Sequence, residues 1–269
     1  MSKKMMMGMC GVALMLACGT VLQAAIWTGG TSTEWTVGSN WNTGSKPSSG
    51  DDVTLEAQTN DPVVSSAEQL RALNMGGAAT GSGAGPTLTI TNGGSLLFGA
   101  RGPNIYEGTI TVQAGASFSS AWEFFLGGPL GGFETRTTLN ISGDVAQPAN
   151  PHQVRLGNGS AAGIGQATVN LNDGTFYVND LIFNKNTVTN GGNPDSHIFI
   201  TAGELRLPDS FEYDYDFDWA DDEIQAVAGR SLVKRVEGGY LFVTAEIPEP
   251  AALSLIALGG LALLLRRRR

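Results

Sequence analysis

Cysteine is nearly missing from this 269-residue chain, and the two that occur, Cys10 and Cys18, both fall near its start. From residue 26 onward there is no thiol, which excludes disulfide staples, cysteine metal sites and a cysteine nucleophile. Basic residues are scarce as well. Residues 26–250 carry ten Lys and Arg against 25 Asp and Glu, a formal charge of −15 (10 minus 25). Such a surface cannot neutralise phosphates, so nucleic acid and anionic polymers are excluded as general electrostatic partners. The only histidines, His152 and His197, lie 45 residues apart. They are expected as surface or turn residues and not as a metal pair. No Gly-x-Ser-x-Gly elbow is present. The small-residue run 155–165 lacks the lysine and the strand-to-helix setting of a phosphate cradle, and should curve the chain closely instead. Converging carboxylates for glycoside hydrolysis are the one catalytic arrangement that 25 acids leave open. No strand face gathers the Asp, Lys and Arg set of a lyase; Arg206, Arg230, Lys234 and Arg235 read as solvated faces. The expectation is a protein without catalysis and without a cofactor.

Convincing helical periodicity is also lacking between residues 26 and 208, with 66–73 the best short candidate. What is there is alternation. Leu88-Thr89-Ile90-Thr91 leads to Gly93, Ile110-Thr111-Val112 to Gly115, and Leu139-Asn140-Ile141 to Gly143. Val169-Asn170-Leu171 then leads to Gly174, and Ile198-Phe199-Ile200 to Gly203. Measured glycine to glycine, the spacings are 22, 28, 31 and 29 residues. Alternation places successive side chains on opposite faces of a strand, and glycine at each break supplies a tight turn. A returning unit of that length predicts a solenoid, because one coil cannot bury its own apolar positions and must stack on the next. The fold class expected is all-β: a right-handed parallel β-helix of about five or six irregular coils. A β-sandwich of antiparallel hairpins is the alternative.

Both ends read as processed. Lys3 and Lys4 precede an uncharged stretch over 5–22 and then Gln23-Ala24-Ala25. That is the layout of a secretory signal over residues 1–25, cut by signal peptidase after Ala24 or Ala25. At the other end, Pro248-Glu249-Pro250 precedes fifteen uncharged residues, 251–265, and then Arg266, Arg267, Arg268 and Arg269. The arginines resist entry into hydrocarbon, and the prolines hold an extended segment outside it. As a helix at about 1.5 Å per residue, the apolar run spans about 22 Å, short of the roughly 30 Å of a bilayer core. A transmembrane helix this marginal suits a removable handle better than a permanent anchor.

That tail resembles the PEP-CTERM sorting signal of Gram-negative bacteria, with all three parts in order over residues 248–269. The resemblance implies an exported precursor held in the inner membrane, processed by exosortase, and delivered to the cell surface or the extracellular biofilm matrix. The glycine-rich repeats, with Trp27, Gly29, Gly30, Trp35 and Trp41 ahead of them, resemble the β-helical passengers of autotransporter-like proteins. Physically, three tryptophans at one end suit a cap over an open core; a sugar-stacking platform is the alternative.

From Phe211 to Trp219, aromatic and acidic residues alternate without a break. As a strand this segment would present Asp214, Asp216 and Asp218 on one face, weak candidates for calcium, and rings on the other. Its plainer reading is a closing strand whose like charges deter edge pairing. Residues 222–227 suggest a helical turn or two, followed by a strand, a Gly238-Gly239 turn and a strand.

The organisation expected is therefore a signal over 1–25, an N-terminal β cap over 26–86 and solenoid repeats over 87–208. An acidic-aromatic cap over 209–246 and the sorting tail over 247–269 follow. The function expected is that of an exported structural or adhesive surface protein. A polysaccharide-binding or polysaccharide-degrading β-helix, with extracellular polysaccharide as partner, is the alternative.

Overall fold

The structure, a computed structural model, describes residues 24–77, 85–128, 135–147, 152–160, 163–183, 196–210 and 223–248. After β1 (Ala25–Ile26) and a 3-10 turn at Gly38–Asn40, the chain enters its first coil. Coil 1 is β2 (Asp52–Leu55), β3 (Val63–Val64) and β4 (Ala67–Leu70). Coil 2 is β5 (Ala72–Met75), β6 (Thr87–Ile90) and β7 (Ser95–Phe98). Coil 3 is β8 (Pro103–Ile105), β9 (Gly108–Val112) and β10 (Ser117–Ser120). Coil 4 is β11 (Phe124–Leu126), β12 (Thr135–Ile141) and β13 (Asp144–Gln147). Coil 5 is β14 (Val154–Leu156), a side arm β15 (Asn158–Ser160), β16 (Gly163–Leu171) and β17 (Thr175–Val178). Coil 6 is β18 (Leu181–Phe183), β19 (His197–Ile200) and β20 (Glu204–Pro208). Three strands close the stack: β21 (Ile224–Ala226), β22 (Ser231–Glu237) and β23 (Tyr240–Glu246).

Each coil gives its strands in turn to three faces, so the solenoid is three-sided, with six coils. Every coil-to-coil pairing is parallel, which removes the sandwich alternative. Among the described strands, antiparallel pairing is confined to β15 with β16 and to the closing β20, β23 and β22. The run 155–165 thus folds back as a small hairpin and does not curve a coil.

Alternation turns one residue in two inward, and parallel register stacks equivalent residues into columns. On the second face Leu88, Ile110, Leu139, Val169, Ile198 and Ile224 succeed one another in register. All six are buried. At the third face Phe98 and Phe118 meet at 5.4 Å between ring centroids, and Phe118 meets Phe124 of the first face at 5.1 Å. The three faces share one continuous core.

The repeating glycines mark the corner between the second and third faces, but they do not all serve one purpose. Gly93 and Gly115 have positive φ (83° and 76°) in two-residue turns. Gly143 has no positive φ; a Cβ there would meet the Ala116 and Gln113 carbonyl oxygens at 2.3 and 2.4 Å. The pairing of Ser95 with Ser117 and of Ser117 with Asp144 puts Gly143 level with Gly94 and Ala116, one residue after the glycine it matches by eye.

Two helical expectations are corrected. Residues 66–73 are β4, a corner at Arg71 and the start of β5. Leu70 and Leu73 mimic helical spacing because they point inward from two faces on either side of that corner. Over 222–227, Glu223 is helical but 224–226 are β21, held by parallel pairing to β19, and residue 222 lies outside the described residues. The strand, Gly-Gly turn and strand expected after it are β22 and β23.

At the N-terminal end the tryptophans close the core. Trp27, Trp35 and Trp41 are 0, 1 and 3% exposed, which removes the sugar-platform alternative for them. Trp41 sits edge-on to Trp27 and Trp35, at 5.0 and 4.7 Å. The Trp27 and Trp41 indole N–H groups donate to the Asn60 and Trp35 carbonyls. Lys46 of this cap bonds both oxygens of Glu68 at 3.0 Å, neutralising a carboxylate buried at the start of a core column. Replacing Trp41 by Ala (Trp41→Ala) is expected to cost about 3–5 kcal/mol, the range for truncating a buried aromatic. A drop in the urea midpoint checks it.

Candidate functional site

The chain leaves the solenoid from β23, whose last residue is the exposed Glu246, through Ile247, 68% exposed, to Pro248. A strand that ends at the rim of the stack hands its successor straight to solvent, so the sorting segment starts clear of the core. Glu249, Pro250, the apolar run 251–265 and Arg266–Arg269 lie outside the described residues, as do residues 1–23. Among the described residues no helix is long and apolar enough to cross a membrane. Ala24 is half-buried, whereas Ala25 is buried, with β1 in register on Val53.

The calcium candidates Asp214, Asp216 and Asp218 also lie outside the described residues. Within those residues no group of three or more His, Cys, Asp or Glu is placed to hold a metal. The histidines part company: His197 stands in β19 beside Phe199, and His152 leads into β14 of another face, against Trp122.

Arg206 corrects the solvated-face expectation. On the outer side of the third face, pairing aligns Tyr177, Arg206, Phe242 and Arg235 across four neighbouring strands. The Arg206 guanidinium carbon lies 3.8 Å from the Tyr240 ring centroid, 4.8 Å from Tyr177 and 5.5 Å from Phe242. Arg235 covers the Phe242 ring at 4.8 Å and pairs with Glu237 at 2.7 Å. A guanidinium over an aromatic face is drawn by the ring quadrupole, so this ladder fastens the antiparallel hairpin to coil 6. Tyr177 donates to Tyr240 at 3.4 Å, which, with burial, holds the Tyr177 phenol above its ordinary pKa. Tyr240 lies below its ordinary value, chiefly by accepting that bond; desolvation opposes this and the Arg206 charge adds to it. The partners of Arg206 come from the preceding coil, 29 residues back, and from a hairpin more than thirty residues on, so no local pattern announces them. Arg230 is tied too, donating to the Ala245 carbonyl at 3.2 Å.

A second cluster lies at the corner between the third and first faces. Trp122 is 42% exposed, and its ring meets His152 at 4.2 Å. Beside it Arg155 stands over Phe125 at 5.3 Å, within 3.8 Å of Glu123 and 3.1 Å from Gln153. Composition could have flagged Trp122 only as a tryptophan apart from the N-terminal three. Its neighbours arrive by coil register.

The fold and its exit thus define a capped β-solenoid with a C-terminal sorting tail. Residues 246–269 match the family model of the PEP-CTERM protein-sorting motif. A tail of this kind implies an exported protein, with a membrane-anchored precursor processed by exosortase and sorted to the cell surface. No curated protein and no solved structure matches the chain.

Arg206→Ala is expected to loosen the closing hairpin by about 1–2 kcal/mol, the value of a partly desolvated cation–π contact. Hydrogen exchange checks it: amides of β22 and β23 should exchange faster while those of β9 and β12 stay unchanged.

Proposed function

We propose that this is a structural surface protein: a solenoid rod carried out of the cell and set in the cell surface or extracellular matrix by its sorting tail, without catalysis. The observation that carries the reading is the match of residues 246–269 to a sorting motif that begins at the final residue of the last strand of a closed stack. A rod without thiols needs no oxidative folding once exported, and a formal charge of −15 favours solubility and spacing from like copies. Signal peptidase cuts after Ala24, because that bond leaves β1 whole and Ala25 on its partner Val53. Exosortase then acts at the exposed segment beyond Glu246.

Mass spectrometry of the termini in surface and medium fractions tests this. The expected mature protein begins at Ala25 and lacks Arg266–Arg269. Joint Pro248→Ala, Glu249→Ala and Pro250→Ala changes should leave a full-length C-terminus in the membrane fraction. An intact C-terminus through Arg269 in every fraction of the unaltered protein would overturn the reading.

A further inference from the structure

The corner that carries Trp122 has the parts of a ligand site and no part in closing the core. Pairing of Asn104 with Phe125 and of Phe124 with Val154 makes Arg101, Trp122 and His152 successive rungs of one edge, and Leu181 opposite Val154 adds Asn179. Rungs of this kind repeat at about 4.8 Å. Trp122 is the one exposed aromatic ring among the described residues, while the other tryptophans described are sealed in the cap. His152 takes one side of the indole. Arg101, on the rung before, is exposed.

The corner is also built to hold its shape. Ser120 Oγ accepts from the Trp122 N–H and donates to the Trp122 carbonyl, both at 3.1 Å. Gly102 lets the Glu123 carbonyl pass where a Cβ would collide with it. A partly bare indole fixed by its backbone loses little freedom on binding.

We propose that this corner binds an extended neutral glycan, one pyranose ring stacking on the free part of Trp122. Arg101, Gln153 and Asn179 supply hydrogen bonds to ring hydroxyls along the edge. A sugar ring offers an apolar C–H face to an aromatic and hydroxyls around its rim, which is the pairing found here. Neutrality follows from charge: Arg155 is paired with Glu123 at 3.8 Å, and the formal −15 over residues 26–250 repels a polyanion. The site gives the structural reading a ligand, yet stands whether or not the tail is processed.

The test uses the full chain, purified in mild detergent, against immobilised cellohexaose, laminarihexaose and dextran, with polygalacturonate as the anionic comparison. At least one neutral glycan should bind. Trp122→Ala should weaken that binding about tenfold or more, as removal of a central aromatic anchor does. Trp122→Phe should keep most of it, and Arg101→Gln should cost a few-fold. Circular dichroism and melting temperature should stay unchanged in all three variants, since neither side chain lies in the core. Binding of no neutral glycan, binding untouched by Trp122→Ala, or preference for polygalacturonate would overturn the proposal.

Discussion

A stack of parallel coils is stable only while each inward side chain finds its column above and below, and that condition fails at both ends. Inside the stack the columns are continuous, so a core residue such as Ile110 is covered by its neighbours in register on both sides. The first and last coils would present bare apolar layers and unpaired strand edges, which invite end-to-end association. With no thiol available after residue 18, the ends must be shut by packing alone.

The two ends solve that problem differently. At the start, three mutually packed indoles and the Lys46–Glu68 pair cover the first coil. At the finish, the strand direction reverses: β23 runs antiparallel to β20, so the parallel ladder cannot simply continue. The guanidinium of Arg206, set among three rings, fastens that reversal from outside while Leu241 and Val243 continue the core inside. The closed end is also the point of departure for the tail. A rod capped by a hairpin whose last strand ends in solvent at Glu246 can deliver a sorting segment without unfolding anything behind it.

Much of this architecture was legible because one of the three corners recurs as alternating residues, a glycine turn and further alternation. The other two corners were not. First-face strands such as β8, β11 and β14 have only three residues, too few to show a period. Coil 1 hid inside the stretch assigned to the cap because β3 has two residues and its corners lack the glycine signal. Leu70 and Leu73 imitated a helix because a corner separates them. The sorting tail was readable because its chemistry is contiguous. The Arg206 ladder and the Trp122–His152 stack were not, because each joins residues about thirty positions apart through register. Charge pointed correctly to a surface poor in cations, but it could not show that Arg206 spends its charge on aromatic rings.

Parallel register is the claim on which the caps, the core columns and the Trp122 corner all depend. Because the exported region has no native cysteine, spin labels can be placed at Thr89→Cys and Gln225→Cys without interference. These positions are five rungs apart on one outer column, through Thr111, Asn140, Asn170 and Phe199. Double electron–electron resonance should give one narrow distance near 24 Å, five steps of about 4.8 Å. A broad distribution, or a distance unrelated to the rung count, would contradict the solenoid.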